Sequence, residues 1–155
     1  MNALSQLQQS IISRLTAVDT TVPSPAPANG QVDWITEDIG DLANVIARAV
    51  GKMGIIGIVI TPHGKLITLG QGPEIAFHSL VEVQIQENVT INRGASGTQI
   101  PALDLVQFVM KRLHWFERDK QRIRRLMLDE IPYLLVSEAP ILTYNVRIIS
   151  PISIQ

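Results

Sequence analysis

The chain contains no cysteine among its 155 residues. That removes disulfide frameworks, thiolate nucleophiles and cysteine-bound metals or clusters, without selecting a compartment. An excess of charge of either sign is also missing. The formal net charge is −1, so global electrostatics make no case for nucleic acid or an anionic membrane. Long hydrophobic runs are absent as well. Ile55-Ile56-Gly57-Ile58-Val59-Ile60 falls far short of the roughly 18 residues that a membrane-spanning helix needs. The opening Met1-Asn2-Ala3-Leu4-Ser5-Gln6-Leu7 has neither the basic region nor the apolar stretch of a signal peptide. These absences lead to the expectation of a protein assembled in a cytoplasm, not secreted by a signal peptide and not inserted in a membrane.

Catalytic patterns are missing in the same way. There is no Gly-x-Ser-x-Gly elbow. Gly94, Gly97 and Thr98 precede a predicted helix, but the Gly-Lys-Ser/Thr end of a phosphate loop is not there. His63, His78 and His114 are not spaced as ligand pairs, and no carboxylate completes a metal pattern. No catalytic, cofactor-binding or metal residue is therefore assigned, and the expectation is a protein that is not an enzyme.

What is present is 46% hydrophobic residues, enough for one real core in a chain of this length. Leu4, Leu7, Ile11, Ile12, Leu15 and Val18 recur at helical spacing, which predicts an amphipathic helix over residues 1–18. Pro23, Pro25 and Pro27 put three prolines in five residues; that forbids helix and favours an extended tether, residues 19–33. The remaining residues, 34–155, read as a single domain. Its first helix is predicted from about Glu37 to Val50, with Thr36 as N-cap, Ile39, Leu42, Ala43, Ile46, Ala47 and Val50 as its stripe, and Gly51 beyond its end. Gly54–Thr61 is apolar throughout and reads as a buried strand. A turn at Pro62–Lys65 and a short strand at Leu66–Leu69 follow. Val81, Val83 and Ile85 alternate with Glu82, Gln84 and Gln86, the pattern of a half-exposed antiparallel strand. A loop over Thr90–Gln99, a helix from Pro101 to about Phe116, and strands at Tyr133–Val136 and Leu142–Ile148 complete the order. Strands arriving in adjacent pairs predict an α+β fold: a mostly antiparallel sheet of four to five strands with helices packed on one face, plus an N-terminal helical arm.

Two surfaces stand out. Lys111, Arg112, Arg118, Lys120, Arg122, Arg124 and Arg125 place seven of the 13 basic residues within 111–125. That patch is the basis of an alternative reading as a nucleic-acid-binding module, diluted by Glu117, Asp119, Asp129 and Glu130. The tethered arm, a domain helix apolar on more than one side, and the proline-bracketed last strand point instead to contacts between subunits. The candidate interface residues are Asn92 and Arg93 in the loop, Phe108, Lys111 and Arg112 on the helix, and Tyr144 and Arg147 on the last strand, which is read as an edge open to a neighbour.

Gly57-Ile58-Val59-Ile60-Thr61-Pro62, Leu80 to Glu87 with Asn88-Val89-Thr90-Ile91-Asn92-Arg93-Gly94, then Ala95-Ser96-Gly97-Thr98, Pro101-Ala102-Leu103-Asp104 and Leu113-His114-Trp115 come in an order that resembles the phage tail terminator and related tail-completion, head–tail joining or neck proteins. The resemblance covers about Glu37 to Ile149. It implies a virion structural protein, not an enzyme and without cofactor, that forms a homo-oligomeric ring, usually a hexamer. Such a ring caps the tail tube protein, offers a surface to the head-completion or neck protein, and lets DNA pass only through its lumen. It also implies that Arg93 makes an intersubunit or ring-facing contact.

Overall fold

A computed structural model of the chain describes residues 3–17, 32–67, 75–114, 126–129 and 132–154. The element order is α1 (Ala3–Thr16), β1 (Asp33–Thr36), α2 (Leu42–Lys52), β2 (Ile55–Ile67), β3 (Ile75–Asn88), α3 (Val89–Asn92), α4 (Ala102–Leu113), β4 (Met127–Leu128), β5 (Tyr133–Glu138) and β6 (Ile141–Ile154). The fold is α+β with a mostly antiparallel sheet, as expected. Among the described residues the sheet runs five strands across, in the order β1-β2-β3-β6-β4, with the further strand β5 also paired to β6. Only the β1–β2 pair is parallel. The predicted turn at Pro62–Lys65 is instead part of β2, which absorbs the proline by a register shift between Ile60 and His63 and pairs on with β3 to Ile67.

The main core lies between the sheet and two helices. Ile55 and Val59 of β2, Val81, Val83 and Ile85 of β3, and Val146 and Ile148 of β6 meet Leu7, Ile11 and Leu15 of α1 and Leu105, Phe108, Val109 and Leu113 of α4. The apolar stripe of α1 is therefore buried in its own domain. Each of its three core residues is at most 3% exposed, and each contributes about 1.5–3 kcal/mol by leaving water. Polar contacts fix the helix near its middle and at its C-terminal end. Glu37 accepts hydrogen bonds from Thr61 N at 3.0 Å, Thr61 Oγ1 at 2.9 Å and Gln8 Nε2. Arg112 donates to the carbonyl of Ala17, and Arg14 Nε donates to the carbonyl of Arg112 at 3.2 Å.

The expectation of helices on one face is corrected. A second cluster of Ala49, Val50 and Ile56, with Ile35, Ile46 and Ile141 against it, places α2 on the opposite face, because neighbouring strand residues such as Ile55 and Ile56 point to opposite sides. Helix α2 also starts later than expected. Residues 33–36 pair as β1, and the carboxylate of Glu37 is taken by Thr61, so the helix begins after Asp41. Its packed side is half-buried Leu42, Val45 and Ile46 with buried Ala49 and Val50, whereas Ala43 and Ala47 are exposed. Its C-cap is Met53 and the left-handed residue that follows is Gly54, φ 80°, not Gly51. Val32 and Asp33, expected in the tether, belong to the domain, Val32 being part of the core; residues 18–31 and 115–125 lie outside the described residues.

Ser79 and Ser150 stand opposite each other in the β3–β6 pair. They are 1% and 0% exposed, and neither hydroxyl has a hydrogen-bond partner among the described residues. A buried hydroxyl without a partner costs about 1–3 kcal/mol. Ser150→Ala is expected to stabilise the protein by about 1 kcal/mol, read as a higher urea midpoint at unchanged m-value.

Candidate functional site

The turn between β3 and α4 is built around a buried carboxylate. Glu87, 1% exposed, sits on the same side of β3 as Val81, Val83 and Ile85. Its Oε2 accepts from the backbone N–H of Ala102 at 3.1 Å, so it satisfies the first turn of α4 and places negative charge at the positive end of that helix. Its Oε1 accepts from Asn92 Nδ2 at 2.7 Å. Asn92 is fully buried and its side chain is fully used. Nδ2 also donates to the carbonyl of Ile100 at 2.7 Å, and Oδ1 accepts from Thr98 Oγ1 at 2.5 Å. Asn88 caps the short α3 through its side chain, which accepts from Ile91 N at 3.2 Å. The chain then turns so tightly that a Cβ on Gly97 would lie 2.2 Å from the carbonyl oxygens of Ile91 and Asn92.

This bracing holds an exposed ridge of Arg93, Ala95 and Ser96. The side chain of Arg93 is 57% exposed, with Nε 3.6 Å from Glu87 Oε1. The carboxylate orients the root of the guanidinium while its outer donors face solvent, a disposition suited to forking onto a carboxylate of another molecule. Of the other candidate interface residues, Lys111 is exposed and Tyr144 is half-buried against the core. Arg147 Nε lies 3.3 Å from Glu82 Oε1 on the neighbouring strand. Three are corrected. Asn92, Phe108 and Arg112 are at most 2% exposed. Asn92 braces the loop, Phe108 fills the core, and the guanidinium of Arg112 stacks 5.5 Å from the Phe108 ring centroid and closes the end of α1. The rest of the basic patch, Arg118 to Arg125, lies outside the described residues. Glu87 was the residue missed. Its signal was parity, a carboxylate falling on the apolar alternation of its strand.

The last strand is also corrected. β6 is not an edge, since β3 pairs along one side and β5 and β4 pair along the other. The edges of the sheet are β1 at one end and β4 with β5 at the other, and among the described residues no strand pairs with their outer sides. Beside β1 a shallow recess is lined by Asp33, Val45, Arg48 and Lys52. His78 and His114 are exposed, the latter accepting from Leu128 N at 3.4 Å. Among the described residues no group of three or more metal-ligating side chains comes together, and no helix is long and apolar enough to cross a membrane.

No protein-family model matches the chain, and a search of curated proteins finds no match to its sequence.

Proposed function

We propose that the protein is a non-enzymatic structural subunit of a phage-type virion, a tail terminator-like protein that assembles into a ring capping the tail tube and meeting the head-completion or neck protein. The observation that carries this reading is the sheet's two unlike edges, β1 at one end and β4/β5 at the other, whose outer sides no strand pairs among the described residues. A subunit with different sticky surfaces on its two sides associates head to tail, and head-to-tail contacts that close generate rings. The braced loop adds a rigid exposed arginine suited to a contact with another chain. The resemblance of the Leu80–Gly94 and Pro101–Trp115 segments points the same way, with the tail tube as partner and DNA passing through the lumen.

Light scattering over a range of concentrations, with negative-stain images of the same peak, tests the reading. Rings, or a concentration-dependent shift towards them, are the expected result. A monomer that binds DNA in a salt-dependent manner would replace it with the nucleic-acid reading. Arg93→Ala is expected to leave the unfolding free energy within about 0.5 kcal/mol of wild type, as an exposed ion pair does, while weakening assembly or tube capping about tenfold in a sedimentation assay, the scale of one lost charge-assisted contact.

A further inference from the structure

We infer that neighbouring copies join by continuing the sheet, the outer edge of β5 in one copy pairing antiparallel with the outer edge of β1 in the next. The inference rests on the ring reading and names its seam.

The register carries it. Three successive rungs cross five strands from one open edge to the other. Asp33, Ile56, Gln86, Thr143 and Val136 form the first; Trp34, Gly57, Ile85, Tyr144 and Leu134 the second; Ile35, Ile58, Gln84, Asn145 and Tyr133 the third. The two open edges therefore stand at the same height on the sheet. A copy placed alongside brings β5 against β1 without sliding along the strand direction. The strand directions agree too. β1 runs with β2, β3 opposes β2, β6 opposes β3 and β5 opposes β6, so β5 of the next copy meets β1 in the antiparallel sense. The N–H and C=O groups on the outer sides of both edges, which no strand pairs among the described residues, then find partners.

Side chains on the same rung also match. The Trp34 ring lies where a Cβ on Gly57 would be, 2.2 Å from its Cε3, and packs at the border of the main core. Leu134 shares a rung with Tyr144, which packs against the same core, yet Leu134 is 45% exposed. Across the seam Leu134 of one copy falls opposite Trp34 of the next, the aromatic–aliphatic pairing that stabilises adjacent strands.

Because the chain has no cysteine, introduced thiols report the seam without background. Opposed residues of an antiparallel pair come within disulfide range. Asp33→Cys and Val136→Cys proteins, mixed and mildly oxidised, are expected to give a covalent dimer that neither gives alone, and the double variant a ladder of covalent oligomers. Leu134→Lys is expected to raise the concentration for half-assembly at least tenfold with the thermal midpoint unchanged. Disulfide dimers of Asp33→Cys alone would overturn the proposal in favour of a two-fold β1–β1 contact. Oligomers that form without cross-linking in the double variant would overturn it while the ring reading stands. A protein that stays monomeric and uncross-linked at all concentrations would overturn both.

Discussion

Asn92→Ala is expected to lower the unfolding free energy by about 3 kcal/mol, measured by urea denaturation, and to loosen the loop that presents Arg93. The magnitude follows from what the amide holds. Its removal strips one donor from each of the Glu87 carboxylate and the Ile100 carbonyl, and one acceptor from the Thr98 hydroxyl. A buried group left unsatisfied costs about 1–3 kcal/mol, more when it is charged. Glu87 keeps the Ala102 N–H and a long contact to Arg93, so the loss stops short of abandoning a wholly unpaired buried charge, about 3–5 kcal/mol. Hydrogen exchange adds a readout that distinguishes loop from core. The N–H groups of Gly97 and Gln99, which bond the carbonyls of Gly94 and Asn92, should lose protection before those of β3 and β6. Equal loss across all strands would show that the loop is not a separable unit.

Gly54→Ala is expected to be as damaging, about 3–5 kcal/mol. The residue has φ 80°, a conformation that costs an L-residue about 1–2 kcal/mol. An added Cβ would also sit 2.2 Å from the backbone nitrogen of Asn92, and backbone yields less readily than a side-chain tip. Gly51→Ala, three residues earlier inside α2, is the control. Nothing lies within 4 Å of its added Cβ, and alanine in a helix interior should stabilise by about 0.5–1 kcal/mol. Opposite signs for the two substitutions, read from thermal midpoints, would locate the helix end at Met53. Losses of equal size would contradict it. Since Gly54 and Asn92 touch, Gly54→Ala with Asn92→Ala should cost less than the sum of the two single changes.

Much of the fold was legible because period and burial coincide. The alternation of Val81, Val83 and Ile85 predicted β3, and the spacing of Leu7, Ile11 and Leu15 predicted α1. Strand β1 was not legible, because Asp33-Trp34-Ile35-Thr36 is too short to establish a period and abuts residues that suit a helix start. The apolar run over residues 55–60 already implied cover on both faces of β2, which is inconsistent with helices on one side only; the placement of α2 resolves that conflict. At the loop, Asn92 and Arg93 were singled out by their place before the helix in the segment that carries the resemblance, yet their surroundings diverge. One is a fully buried brace and the other an exposed side chain, a difference decided by the tight turn at Gly97 and the buried Glu87. Phe108 and Arg112 were taken as surface because α4 is apolar on more than one side; the second side is covered by α1, a contact that helical spacing cannot reveal across the intervening residues.

The position of β6 has a consequence for the order of events during synthesis. Strand β6 is translated after β1 to β5, yet it lies inside the sheet, between β3 and the β4/β5 edge. Until it arrives, β3 presents a 14-residue strand with one side unsatisfied and Val81, Val83 and Ile85 lacking their neighbours on β6. Nascent chains stalled before Ile141 should therefore be sensitive to protease and prone to self-association through β3, and the native sheet closes only after translation of β6.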